Sequence, residues 1–260
     1  MIFCIKIIAY FLVYSFIGWF IESAFKSYLQ KELVNSGFLI GPICPIYGFG
    51  AFILHLTIYN FRDNLILVFF LGFFMLSIWE YIVGWFLEKM FNTKYWDYTG
   101  NFMNIKGRVC LFNSTAWGVL SVLFVGFWHP FIEEKINLIP ENILIIAVSI
   151  LSIITLSDII ISVIKTKVLN KNLDEVKKLD VTIEEKQTEI NNTKENITGY
   201  RKSMQDVIDT LKNKRDMLKE KIIKQTDRLR KAFPTMKSEK ITEFFNQKLD
   251  EIRELKDKLK

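Results

Sequence analysis

The sequence is poor in the side chains that most enzyme chemistry uses. It holds three cysteines, Cys4, Cys44 and Cys110, and only two histidines, His55 and His129. An odd number of cysteines scattered over apolar runs and loops is no disulfide framework, and no Cys-x-x-Cys or Cys/His spacing suggests a metal. No metal and no cofactor are therefore expected. No Gly-x-x-x-x-Gly-Lys-Ser/Thr string occurs, so any ATP hydrolysis would need a separate subunit. An activated nucleophile, a histidine base or a metal set is also missing, which weighs against an enzyme. The N-terminal apolar run lacks a signal-peptide cleavage site and reads as a retained span. Between Lys165 and Lys231 there is no proline and one glycine, Gly199.

What is present divides sharply near Lys165. All six Trp and 20 of the 23 Phe precede it. Residues 1–165 carry 10 Lys+Arg against 10 Asp+Glu, whereas residues 166–260 carry 24 against 18 and hold the whole net charge of +6. The first block is oil-soluble and the second water-soluble. The basic excess is diffuse and mixed with acids. It suits a solvated helix beside an anionic membrane and speaks against nucleic acid as a partner.

A spanning helix needs roughly 20 apolar residues. Candidate spans lie at about 2–25, 38–60, 64–88, 108–129 and 142–164. The expected fold is all-α: a polytopic membrane bundle of about five spans (1–165), a long helix or coiled coil (166–232) and an amphipathic C-terminal helix (233–260). Lys26, Lys31, Lys89, Lys94, Lys106, Arg108, Lys165 and Lys167 fall on one side of these spans, and Lys6, Arg62 and Lys135 on the other. By the positive-inside rule the N-terminus is outside and the tail cytoplasmic. The Lys, Asn and Ile bias suggests a bacterial plasma membrane.

Residues 18–25, Gly-Trp-Phe-Ile-Glu-Ser-Ala-Phe, reappear as Gly-Trp-Phe-Leu-Glu-Lys-Met-Phe at 84–91. At the same offset Asn35 matches Asn101, Gly41 matches Gly107 and Cys44 matches Cys110. Eight of 27 positions agree without a gap. Spans one and two therefore read as a helical pair used again, in the same direction, as spans three and four.

Ionisable groups inside spans are costly and are functional candidates by default. Glu22, its partner Glu88, Glu80, Arg108, Asn113 and Asp158 all fall toward the cytoplasmic ends of their spans. Span two meets this layer through Asn35-Ser-Gly-Phe-Leu-Ile-Gly-Pro-Ile-Cys-Pro-Ile-Tyr-Gly-Phe-Gly50. Pro42 and Pro45 remove backbone donors, and Gly41, Gly48 and Gly50 loosen the helix. A broken helix or re-entrant turn is expected, because irregular backbone at membrane depth survives only when buried or lining a wet cavity. The helix that resumes after Pro45 would point its positive end at this layer, and with Arg108 it could hold a carboxylate or phosphate. Glu80 and Arg108 could equally form a buried ion pair that locks helices. The loop 94–107 is aromatic and is expected to cap the layer, with Asp97 pairing to Arg108 or Lys106 and Asn104 nearby. Tyr47 joins the candidate set. Tyr47 and Tyr98 also suit interfacial anchoring, and His55 and His129 are expected at the other interface, away from the cluster.

In the tail, Val176, Ile183, Ile190, Ile197, Met204, Leu211 and Leu218 recur every seven residues. Their companions Leu179, Lys186, Thr193, Tyr200, Val207 and Lys214 are mixed, so a weak coiled coil is expected, antiparallel or dimeric. Phe233-Pro234 stops the helix, and Ile241, Phe245, Leu249, Ile252 and Leu259 follow near one face.

Three stretches resemble the CmpB-like ABC-transporter permease family of bacterial membrane proteins. They are Tyr14-Ser-Phe-Ile-Gly-Trp-Phe-Ile-Glu22, the Asn35–Gly50 string with its Gly-Pro-x-Cys-Pro-Ile-Tyr-Gly core, and Trp96-Asp-Tyr through Asn104-Ile-Lys-Gly-Arg-Val-Cys110 with Asn113. The resemblance covers roughly 5–165 and implies transport. The family commonly carries arginine where this chain has Ser36. The first functional expectation is thus a permease or transport-related subunit, with the bilayer, an anionic small molecule or lipid head group, and a separate ATPase as partners. The alternatives are an inner-leaflet lipid enzyme, or a scaffold or sensor that recruits a partner or a second copy through residues 166–232.

Overall fold

The computed structural model describes residues 2–192 and 198–258, and these are helical apart from short connections. α1 runs Ile2–Gln30 and α2 Pro45–Ile53; α2 continues through a π-turn, Leu54–Ile58, and a 3-10 turn, Tyr59–Phe61. α3 is Leu65–Phe91. α4, Leu111–Leu123, passes through a second π-turn, Phe124–Trp128, into α5, His129–Asn137. α6 is Glu141–Asn192, α7 Thr198–Ala232 and α8 Glu239–Lys258. The described residues contain no strand, only two isolated bridges, Lys94 with Lys237 and Ile105 with Val109.

Local chemistry sets these limits. Asn64 caps α3 by accepting from the Leu67 amide at 3.0 Å. α1 and α3 are each followed by a residue in left-handed conformation, Lys31 and Asn92, which ends them. Pro45 sits in the first turn of α2, where the missing amide costs nothing, and Pro130 follows the π-turn that leads into α5.

Among the described residues, four helices are long and apolar enough to cross a membrane: Ile2–Gln30, Leu65–Phe91, Leu111–Asn137 and Glu141–Asn192. The expected second span is shorter than the reading at 38–60. Residues 38–44 are not helical, and the helical part, Pro45 to Phe61, rises only about 25 Å. Gly48 and Gly50 lie inside α2 and do not interrupt it. A side chain at Gly48 would run into Ser15 and the Phe11 carbonyl of α1. Small residues let these helices approach closely, as is usual in bilayers.

The chain divides into two compact units, Met1–Val163 with Arg230–Lys237, and Ile164–Leu229 with Ser238–Lys260. In the first, α3 shows the logic of a membrane helix. Val68, Gly72, Leu76 and Glu80 form one buried line, while Ile66, Phe70, Phe74, Ile78 and Ile82 form an exposed one. Both repeat every four residues, so one stripe faces the bundle and the other faces lipid. The core holds Tyr10, Leu12, Tyr14, Leu54, Ile58, Leu76, Phe124, Val125, Leu144 and Val148.

In the second unit, the later part of α6 and α7 run antiparallel. Lys214 pairs with Glu175 at 2.7 Å, Arg215 with Asp180 at 3.4 Å, and the Tyr200 hydroxyl donates to Glu189 at 2.8 Å. α8 adds Lys240–Asp174 and Lys177–Glu243 contacts, each 2.7 Å. The seam of α7 differs from the expected one. Met204, Leu211 and Leu218 are half-buried, but their companions are Ile208 and Ile222, both fully buried, and not the exposed Val207 or Lys214. The companion lies four residues on, and Arg215 occupies one of its positions. The expected seam residues Thr193 and Ile197 lie outside the described residues, as do Leu259 and the side chains of Leu249 and Ile252. Ile222→Ala should destabilise this unit by roughly 2–4 kcal/mol and Val207→Ala by less than about 0.5 kcal/mol. Amide exchange of α7 in the full chain measures both.

Candidate functional site

The polar side chains of the first unit collect at the end of the bundle where α1 and α3 finish and α2 and α4 begin. Glu80 is the buried carboxylate among them. It ends the inward stripe of α3 and is 5% exposed. The Trp117 indole N–H donates to its Oε2 at 2.9 Å, and the Tyr98 hydroxyl to its Oε1 at 3.2 Å. The Asn113 side chain also hydrogen-bonds it, and Glu22 lies near enough to act on it electrostatically. Tyr98 is no interfacial anchor. Burial first, and then the Glu80 charge, hold its hydroxyl well above the ordinary phenol range, so it stays a donor.

Glu22 sits one turn before Lys26, whose ammonium lies 2.6 Å from it. The Lys26 ammonium also donates to Ser36 Oγ at 2.9 Å and to the Ala232 carbonyl. Lys26 thus brings a cation to Ser36. Tyr47, on α2, faces the Glu22 carboxylate, and its ring fills the space left by Gly18 of α1, where any Cβ would collide with it. Cys44 Sγ lies 4.0 Å from Glu22 Oε2. Asn35 accepts the Trp19 indole N–H at 2.7 Å and donates to the Ile40 carbonyl at 2.7 Å, closing the turn that follows α1.

The backbone that holds an anion is the turn before α2, not the α2 N-terminus, and the chain supplies that anion itself. Asp158 of α6 accepts the Ile40 amide at 3.1 Å and the Gly41 amide at 2.8 Å, and Ser162 donates to it at 3.2 Å. A Cβ at Gly41 would lie 2.9 Å from that carboxylate. Pro42 follows, and the Cys44 amide reaches the Ser15 carbonyl of α1 at 3.0 Å.

The expected Glu80–Arg108 pair is not formed. Arg108 instead grips Glu88, at 2.9 and 3.1 Å through two nitrogens, and donates to the Tyr81 hydroxyl at 3.0 Å. Asp97 pairs with neither Arg108 nor Lys106. It accepts from Lys94 at 3.2 Å and from Thr99, and it pairs with Lys237. Asn104 stays within the loop, bonding the Thr99 and Asn101 carbonyls and the Gly107 amide at 3.0–3.1 Å. Gly107 has φ +67°, and Asp97 fills the space a side chain there would need.

Sequence reasoning missed the segment Arg230–Lys237, which folds onto this end of the bundle. Lys94 and Lys237 exchange backbone hydrogen bonds of 2.8 Å, Thr235 caps the Asp97 amide, and Phe233 packs its ring on Tyr95. A proline turn in a charged tail carries no signal that it docks. The histidines were also misplaced: His129 is fully buried and contacts His55.

Between α1, α2 and α4 lies a cavity of about 140 Å³, with Tyr47 and Trp117 toward the polar layer and Tyr14 and Phe124 toward the histidines. Lipid-facing helices, a buried carboxylate and an apolar cavity define a polytopic α-helical membrane protein. The chain belongs to a family described as "Putative ABC-transporter type IV", whose model matches residues 9–163. Neither the curated proteins nor the solved structures contain a match to it. It is a transport-related membrane protein.

Burial opposes ionisation of Asp97, but the hydrogen bonds from Lys237, Thr99 and Lys94 outweigh it and hold the carboxyl well below its ordinary value of 3.8. A depressed carboxyl stabilises the fold above about pH 4 and loses that contribution as pH falls below it. Protection of the Lys94 and Lys237 amides should hold from pH 7 to 5 and fall in acid. Asp97→Asn should cost about 2 kcal/mol at neutral pH, seen as roughly 30-fold faster exchange of both amides.

Proposed function

We propose that this chain is the membrane-embedded component of a transporter in a bacterial plasma membrane, with its N-terminus outside, its tail cytoplasmic and its substrate site at the Glu22–Glu80 layer. The observation that carries this reading is Glu80. Its 5% exposure, on the inward stripe of a lipid-facing helix and beside the cavity lined by Trp117, is a costly placement for a group with no role. The substrate class is an anionic or amphiphilic small molecule, or a lipid head group, that meets the Lys26 ammonium and the Tyr98, Trp117 and Asn113 donors with its polar part. Its apolar part would enter the cavity, whose lining includes the lipid-exposed Ile21. The eight-to-three bias of Lys and Arg supports the orientation. The lack of a phosphate-binding loop assigns ATP hydrolysis to a separate subunit. Cys44 and Cys110, matched at the repeat offset, both precede helices in extended conformation and are both buried, which supports duplication of a two-helix unit.

Vesicles reconstituted with the full chain and offered radiolabelled amino acids, phosphate esters and short-chain lysophospholipids test the reading. At least one probe should cross faster than in protein-free vesicles, and Glu80→Gln should slow it by about 10²-fold. No excess movement of any probe, or unchanged movement in Glu80→Gln, contradicts it.

A further inference from the structure

The opposite end of the bundle holds a second polar core that the transport reading does not use. His129 is fully buried. Its Nδ1 lies 3.2 Å from the Tyr14 hydroxyl, and its Nε2 lies 2.8 Å from Nδ1 of His55. Both rings sit at departures from regular helix. His55 lies within the π-turn Leu54–Ile58, and His129 directly follows the π-turn Phe124–Trp128. π-turns are rare, and they gather at functional sites because they re-aim side chains at a cost in backbone geometry. Two of them meeting at one histidine pair is a built arrangement.

Hydrogen-bond bookkeeping limits what this chain of groups can be. A neutral imidazole has one N–H and one lone pair, so a 2.8 Å nitrogen–nitrogen contact requires one ring to donate and the other to accept. Two neutral arrangements satisfy both contacts. In one, Tyr14 donates to His129, which donates to His55. In the other, His55 donates to His129, which donates to Tyr14. The pair also has room for one added proton, shared along the contact, but not for two. Aromatic rings enclose His129. The Phe124 ring stacks on His129 at 4.8 Å and 10°, and the Tyr10 and Tyr59 rings meet it edge-on at 4.9 and 4.8 Å. From α5, Glu133 acts electrostatically on His55 and accepts from the Tyr59 hydroxyl at 3.3 Å. The remaining groups facing the pair are Tyr10 and Tyr14 of α1 and Tyr59 after α2, whose ring Arg62 covers at 5.2 Å. From α3 and α6 the core is apolar, through Val68, Leu144 and Val148.

We propose that the His55–His129 pair is a proton-binding relay, which takes one proton at its half-exposed His55 side and passes one to the cavity at Tyr14. The step balances. A proton from water adds to His55 Nε2, and the His55 Nδ1 proton moves to His129 Nε2. The His129 Nδ1 proton moves to the Tyr14 oxygen, and the Tyr14 hydroxyl proton leaves to a water molecule entering the cavity. One proton enters, one leaves, and the chain is left in its other neutral arrangement. This goes beyond the transport reading and does not depend on what Glu80 binds.

The chain has two histidines, so ¹⁵N-histidine labelling reports on this pair alone. The full chain in lipid nanodiscs is titrated by NMR from pH 9 to 4. Both rings should change together as a single proton is taken up, a coupled titration of the pair. In His129→Gln the remaining His55 should titrate alone, at a pH different from that of the coupled pair. Two independent steps in the natural chain overturn the proposal, as does the absence of any step. In a parallel assay, vesicles containing a pH-sensitive dye receive an external acid step. His55→Gln should slow proton entry by about 10-fold or more. An unchanged rate overturns the relay, and because His55 is half-exposed its substitution spares the core.

Discussion

The contact on which the rest of the bundle depends is a carboxylate held by two backbone amides. Backbone groups at membrane depth must be satisfied within the protein. The turn after α1 leaves the amides of Ile40 and Gly41 without helical partners, and Asp158 accepts both. That contact ties α6 to the start of α2. It fixes where Pro45 begins its helix, and so where Tyr47 stands against Gly18 and Glu22. Without it the turn would carry unpaired amides in an apolar surrounding, at several kcal/mol each, and α2 would have no reason to start where it does.

The same contact explains why the polar layer is not a simple anion site. Each obvious charge already has a partner. Asp158 occupies the turn, Glu88 occupies Arg108, and Asp97 is taken by lysines from its own loop and from residue 237. What is left is asymmetric: a buried Glu80 held by neutral donors, and Glu22 balanced by Lys26. Glu80 differs from Glu88 and Asp97 in being held by neutral donors and not by a cation. This is why the proposed site centres on Glu80, with Arg108 as a lock.

Much of this was legible in the sequence, for identifiable reasons. Length and hydropathy place α1, α3, α4 and α6, and the intramembrane cost of charge singles out Glu22, Glu80, Arg108 and Asp158 before any fold is known. Partners were harder to read, because Glu80 and Glu88 lie about 12 Å apart along α3 and the sequence does not say which of the two depths Arg108 occupies. The histidines were expected at an interface because they lie near the ends of their spans, and depth alone does not show that His129 is buried beside a π-turn. In the tail, the heptad was extended through residues 193–197 with one companion spacing, so Ile208 and Ile222 were passed over for Val207 and Lys214. Docking of Arg230–Lys237 rests on a Thr hydroxyl, a lysine and backbone hydrogen bonds, which leave no pattern in a sequence.

Native mass spectrometry of the full chain released directly from its membrane tests the central claim, that the Glu80 layer holds a ligand. The account predicts a retained mass of a small anionic or amphiphilic molecule on the natural chain, and its loss from Glu80→Gln while structural lipids remain. Identical spectra for the two proteins, with nothing bound that depends on Glu80, would contradict it.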